Sequence, residues 1–241
     1  MHSTINPAIL YWGTPVAIVS SENEDGTFNL APTTSVFWLG HRCVLGLAAE
    51  SKTPQNILRT GQCVVNLPDD TQTGAVNGLA KTTGTETVPP GKISRGYTFV
   101  HDKWASSGLT PQASQVVRPS RARECPVQME CELATAHEMW TDVPGMAGVI
   151  LSIELRVVRI HVLDGLRMDG YENRVDPDKW RPLIMSFQEF YGLDGGKKGP
   201  SRLGEIGEEE YRMLAAADAK QPVDDKHPVE EVDGKAGPEH V

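Results

Sequence analysis

Ser51-Lys52-Thr53 stands directly before Pro54 and a short run, Gln55 to Arg59, that reads as a helix. Two hydroxyls, one ammonium and the N–H groups of a first helical turn therefore meet in one place. A helix leaves its first N–H groups without internal partners, and its dipole adds partial positive charge at that end. Such a place suits a phosphate monoester, held by oriented donors and by the full charge of Lys52. Thr53 is a good N-cap, and Pro54 suits the first helical position. Asn56 falls on the same side as Lys52 and Thr53. A hydroxyl cap before proline is also common without any ligand, so this stretch alone does not carry a function.

The second stretch is Asn29-Leu30-Ala31-Pro32-Thr33-Thr34-Ser35-Val36-Phe37. Small and hydroxylated residues crowd one strand, and Pro32, with no N–H for a ladder, marks an edge, a bulge or the strand's end. A broken strand leaves backbone donors and acceptors that a ligand can use. A flat heteroaromatic molecule would lie there, its ring edge on backbone amides and a polyol chain on hydroxyls.

Other chemistries find no residues. There is no GxSxG and no Ser or Cys with an evident His and acid beside it. The seven histidines are scattered. Neither GxGxxG after a strand nor GxxxxGK[ST] occurs, so dinucleotide and P-loop sites are not indicated. The four cysteines, Cys43, Cys63, Cys125 and Cys131, form no CxxC pair. Cys125 and Cys131 read as one strand, which sets them about 20 Å apart at ~3.3 Å per residue. A disulfide reaches only ~7 Å. Free, buried thiols in a reducing cytoplasm are expected, with no zinc site.

The elements that must position these residues are mostly strands. Pro15–Ser21 is a Val/Ala/Ile run, followed by a hairpin turn at Asn23-Glu24-Asp25-Gly26. The next strand starts at Thr27 and continues, bent at Pro32, to Leu39. Arg42–Ala49 and Cys63–Leu67 are further strands, and Asp70–Ala80 is a helix weakened by Gly74 and Gly78. Val127–Ala136 alternates, with Val127, Met129, Cys131 and Leu133 facing a core. Gln128, Glu130 and Glu132 are then expected on a wet face. Val149–Val162 is a long β-branched strand, and Leu183–Tyr191 packs back on the body. Residues 81–123 are a long loop segment without readable structure, closed by Arg118, Arg121 and Arg123, a basic cluster that reads as a solvated face. One domain is expected over 1–195, a linker and short helix over 196–219, and a disordered acidic tail over 220–241.

The net charge of −9 argues against nucleic acid as a partner. No run of 18 apolar residues spans a membrane. The start of the chain shows no secretion signal, so a cytoplasmic location is expected.

Taken together, Asn-x-Ala-Pro-x-x-Ser, a strand, Ser-Lys-Thr-x-x-Asn-Ile-x-x-Thr-Gly and a strand ending Val-Asn-Leu-Pro resemble the flavin reductase-like family. The likeness runs from Tyr11 to Pro68. It resumes at Asp102-Lys103-Trp104 and at Cys125-Pro126-Val127-Gln128-Met129-Glu130. It implies a mainly β fold: an antiparallel Greek-key split β-barrel with a few peripheral helices, homodimeric, with FMN near the subunit interface. Ser51, Lys52, Thr53 and Asn56 would hold the phosphate. Asn29, Ala31, Pro32, Thr33, Thr34, Ser35 and Val36 would line the ribityl chain and ring edge. One departure stands out. Many reductases of this family carry Gly-Asp-His just before the last long strand, whereas this chain has Gly145-Met146-Ala147-Gly148.

The implied activity is an FMN-dependent oxidoreductase that takes electrons from NAD(P)H and passes them to a small-molecule acceptor or a partner monooxygenase. Two alternatives remain open. One is an FMN enzyme with its own small substrate, in which residues 81–123, with Tyr97, Trp104 and Arg118, form a lid and Arg181 and Tyr191 face the flavin. The other is a non-catalytic FMN electron carrier.

Overall fold

A computed structural model describes residues 2–193 and 195–201. The helix expected within 196–219 and the tail at 220–241 lie, from residue 202 on, outside the described residues. Among the described residues no helix is long and apolar enough to cross a membrane.

The N-terminal strands are β1 (Trp12–Pro15), β2 (Ala17–Glu22), β3 (Phe28–Thr33), β4 (Val36–Leu39) and β5 (Arg42–Ala48). Helix α1 (Lys52–Thr60) then leads into β6 (Gln62–Leu67). The expected single strand from Thr27 to Leu39 is two strands. Its break falls at Thr34–Ser35, while Pro32 pairs with Ile18 in the ladder and, of edge, bulge or strand end, marks an edge. Proline is tolerated there because β3 is an edge strand whose outer side has no ladder to supply.

After α2 (Thr73–Leu79), the segment expected to lack structure holds several short elements. These are β7 (Thr82–Thr83), α3 (Pro90–Ile93), β8 (Thr98–Phe99), α4 (Lys103–Ser107), β9 (Pro111–Gln112) and β10 (Arg121–Ala122). Two long strands follow, β11 (Val127–Glu138) and β12 (Ile150–Val162), and then β13 (Ile184–Ser186) and β14 (Glu189–Tyr191).

Seven strands form one antiparallel sheet in the order β3-β2-β6-β11-β12-β5-β4. Alternate residues of β2, β5, β6, β11 and β12, among them Val19, Leu45, Val65, Cys131, Ile153 and Leu155, turn inward to one buried cluster. The sheet therefore curls around its own core, as the period of two requires. The opposite face of β2 and β3 buries Ile18 and Leu30 against Val76, Leu79 and Leu183. The two edges, β3 and β4, are neighbours in sequence, joined only by Thr34 and Ser35, yet they do not pair. A seam is left between them, and no closed barrel forms.

All four cysteines are buried and free. Cys125 precedes β11 and does not share its strand with Cys131, which stands opposite Cys63.

The wet face expected on β11 is not wet. Gln128 and Glu130 are buried, with Glu130 wholly inaccessible. The segment after β9 lies across them. Glu130 accepts N–H bonds from Gln115 (2.8 Å), Val116 (2.6 Å) and Val117 (3.1 Å), and lies 2.6 Å from His161 Nε2. Arg121, read as solvated, is buried too and donates to Gln128 and to the Ala113 carbonyl. Burial opposes ionisation of Glu130, but the N–H donors and His161 outweigh it and hold the carboxyl below its usual range. The sequence shows the alternation but not the loop that covers it. Replacing Glu130 with Gln should cost about 2–3 kcal/mol of unfolding free energy, because backbone donors lose a charged acceptor. Urea unfolding measures this, and a loss near zero would show the loop to be held by other contacts.

Candidate functional site

The start of α1 lies against the open edge of the sheet. Ser51, not Thr53, is the N-cap, and Pro54 is the third helical residue and not the first. A capping hydroxyl bonds the N–H of the second or third helical residue; Pro54 removes the latter donor, while Thr53 keeps its own. Ser51 makes no cap bond and instead accepts from Lys92 Nζ at 3.0 Å. The backbone N–H groups of Lys52 and Thr53 have no intrahelical acceptor in this first turn.

Lys92 comes from α3, inside the segment where the sequence showed no site. β7 and β8 pair in parallel and fold this segment back over α1. Gly84 passes so close that a Cβ there would lie 2.4 Å from Asn29 Oδ1 and 3.1 Å from Lys52 Cγ. Only glycine allows that approach without displacing the Asn29 amide. Asn29 Nδ2 donates to Thr53 Oγ1 at 3.1 Å, and its Oδ1 is buried with no partner. Turning this amide over keeps the Thr53 bond, with the hydroxyl donating, and brings N–H donors to the orphaned position.

The remaining expected residues divide in two. Asn56 is fully buried and donates to Ser21 Oγ and Asn23 Oδ1, so it ties α1 to the β2–β3 turn. Ala31, Pro32 and Thr33 lie along β3, opposite Val19, Ile18 and Ala17. Thr34 and Ser35 cross the seam, and Val36 opens β4. The Ser35 carbonyl accepts from Gly46 N at 2.9 Å. A Cβ on Gly46 would meet Ser35 Cβ at 3.2 Å, so the crossing chain sits tightly on β5.

Positive charge gathers here. Lys52 Nζ lies 2.7 Å from Glu24 Oε2 in the β2–β3 turn. Burial pushes the Lys92 ammonium below its usual value, against the pull of Glu50. Lys103, almost wholly buried, donates to the Leu30 carbonyl at 2.9 Å. Burial, and then the charge of Lys92, push Lys103 down to about 7. Neither Lys92, Lys103 nor Gly84 was singled out for the site from sequence. The available signals were a lone glycine after Thr82-Thr83 and a lysine behind Pro89-Pro90.

The other residues considered for the flavin are placed as follows. Trp104 Nε1 donates to the Phe28 carbonyl, Arg118 pairs with Glu22 and Arg181 with Asp70. Tyr97 lies beside Lys92 and Arg95 as a cation–π partner. Tyr191 is exposed on β14. The stretch Gly145–Gly148 lies in the turn between β11 and β12 and carries no histidine.

A family model, the flavin reductase-like domain, matches residues 11–193. The chain belongs to the flavin reductase-like family. It is 34% identical over 189 residues to the uncharacterised protein YdfE of Bacillus subtilis, covering 78% of this chain and 88% of that one. Its fold is similar to flavoredoxin of Desulfovibrio vulgaris, with a TM-score of 0.67 at 18% identity over 84% of this chain and 97% of that one. It is similar also to nitrilotriacetate monooxygenase component B of Bacillus cereus, with a TM-score of 0.64 at 21% identity over 83% and 99%. These likenesses show the split-barrel fold, and family membership makes the chain a flavin-binding, oxidoreductase-like protein.

The residues present fit the phosphate end of a flavin nucleotide. A serine free of capping that carries Lys92 on its hydroxyl, the adjacent Lys52, the first helix N–H groups and the close approach of Gly84 lie around the start of α1.

The lysine charges make a test independent of any ligand. Burial pushes Lys103 down to about 7 in the folded chain, against ~10.4 when unfolded. The unfolded chain thus binds more protons above about pH 7, and stability rises with pH there. Cys43 and Cys125, pushed up by burial, act oppositely once unfolded thiols ionise above about pH 8.5. Between about pH 7 and pH 8.5 the urea midpoint should therefore rise in the wild type and rise clearly less in Lys103→Met. Equal slopes would show that Lys103 keeps an ordinary pKa.

Proposed function

We propose that this chain is an FMN-dependent oxidoreductase that accepts electrons from NAD(P)H and hands them to a small acceptor or a partner monooxygenase. The cation-lined cradle at Ser51 carries this reading. Ser51, Thr53 and the first N–H groups of α1 bind the phosphate oxygens, while Lys52 and Lys92 neutralise their charge. Asn29 orients Thr53, and Asn56 holds α1 against the turn that carries Glu24. The flavin, when bound, supplies the electron transfer. The ribityl chain and ring edge follow β3 to the seam, where Ala31 to Val36 offer hydroxyls and backbone groups.

A homodimer belongs to this proposal. Trp12, Phe37 and Leu39 are all strongly exposed, and Trp12 stacks edge-on against Phe187 with ring centroids 4.4 Å apart. This apolar surface flanks the unpaired edge of β4, and a second copy would remove it from water.

A second reading has its own support. A cavity of about 310 Å³ is lined by Trp38, Trp180, Leu67, Pro15, Pro182 and Ile184. Val16 also lines it and adjoins Ala17, the ladder partner of Thr33, so the cavity lies at the barrel end where the seam crosses. With no histidine at 145–148, an FMN enzyme taking its own apolar substrate in that cavity is the alternative.

The two readings separate on one experiment. Under anaerobic conditions the flavin band at visible wavelengths should bleach on adding NADPH or NADH. A band that stays oxidised with both would remove the reductase reading and leave the substrate-specific enzyme or the non-catalytic FMN carrier. The cradle is tested separately: Lys92→Ala should weaken FMN binding roughly tenfold or more, since a charge-assisted bond is lost. Unchanged affinity would place the phosphate elsewhere.

A further inference from the structure

The β2–β3 turn carries an anion to the cradle. Glu24 Oε2 lies 2.7 Å from Lys52 Nζ, and the Lys52 side chain is only 17% exposed while Glu24 is 59% exposed. The lysine is thus largely enclosed, with Gly84 over its stem, and its ammonium meets a carboxylate that reaches in from solvent. The turn is not free to swing away. Asn23 accepts from Asn56 at 2.9 Å, and Arg59 donates to the Glu22 carbonyl. On the other side Asp25 is joined to His101 at 2.9 Å. Three contacts on three neighbouring residues hold Glu24 in reach of Lys52.

A carboxylate and a phosphate cannot both have the full attraction of one ammonium. They also repel each other across a few ångströms. Of the residues around Ser51, Lys92 is bonded to the serine hydroxyl, whereas Lys52 is shared with an acid. The helix supplies no acid in its first turn that would explain the arrangement as a dipole partner. As a stabilising surface pair the contact contributes little.

We infer that Glu24 sets the affinity of the cradle for phosphorylated flavin: it shares Lys52 with the phosphate and thereby weakens the hold on FMN. This rests on the proposed FMN site and adds a residue outside the binding motif. A weakened hold suits a flavin nucleotide that must leave and return.

The experiment is a fluorescence-quenching titration of the flavin-free full chain with FMN and, separately, with riboflavin, which lacks the phosphate. Wild type is compared with Glu24→Gln and with Glu22→Gln. The second variant removes an equal charge at the end of β2, where the side chain pairs with Arg118, without touching Lys52 or the contacts that hold the turn. Glu24→Gln should bind FMN about two- to fivefold more tightly. Its riboflavin affinity should be unchanged, and Glu22→Gln should match wild type on both ligands. Unchanged or weaker FMN binding in Glu24→Gln, with wild type still preferring FMN to riboflavin, overturns the inference while leaving the site standing. An equal gain on both ligands overturns it as well, since the effect would not pass through the phosphate. A wild type that binds FMN no better than riboflavin overturns both the inference and the phosphate site.

Discussion

Lysine side chains buried near the start of one helix are costly to hold charged, and each must find an oxygen acceptor there. Lys52 and Lys92 flank Ser51, and Lys103 sits on the Leu30 carbonyl beside Asn29. Two of the three are buried, where charge is costly to hold. The fold tolerates this through single oxygen acceptors: a hydroxyl for Lys92, a backbone carbonyl for Lys103, an exposed carboxylate for Lys52. In the proposed FMN site a phosphate would add acceptors for Lys52 and Lys92.

The sheet determines where that charge lies. Because β3 and β4 are consecutive strands at opposite edges, the chain must cross the seam at Thr34–Ser35. Pairing of β2 with β6 and of β5 with β12 fixes both edges, and Gly46 lets the crossing press against β5. The cradle and the seam lie at the two ends of one six-residue strand, β3. Six residues of strand span about 20 Å. That is a length over which a phosphate, a sugar-alcohol chain and a ring system can be laid out in order. The segment 81–123 completes the arrangement from outside. Its two ends are anchored differently: α3 brings Lys92 to Ser51, and the loop before β10 rests its N–H groups on Glu130.

The strands and the Ser51 region were legible because they follow local rules. Alternation marked β11 and β12, Asp25-Gly26 marked the turn, and Ser-Lys-Thr before proline marked the helix start. What was not legible depended on distant residues. Glu130 reads as solvent-facing because nothing near it in sequence announces a loop that will cover it. Lys92 lies 41 residues from Ser51 and sits in a stretch with no hydrophobic period to place it. Thr53 reads as the cap by residue type, but the helix starts earlier, at Lys52. Asn56 has the right spacing for the cradle, yet its amide turns to Ser21 and Asn23, partners far away in sequence. Each miss is a case in which tertiary contact decided between two locally acceptable arrangements.

The proposed site depends on the position of the phosphate, and hydrogen–deuterium exchange with and without FMN tests that position directly. Added FMN should slow exchange at the amides of residues 51–57 and 82–95 together, with a weaker effect along 31–36. Inorganic phosphate at high concentration should reproduce only the first two. Protection confined to other parts of the chain, or absent from 51–57, would contradict the central claim.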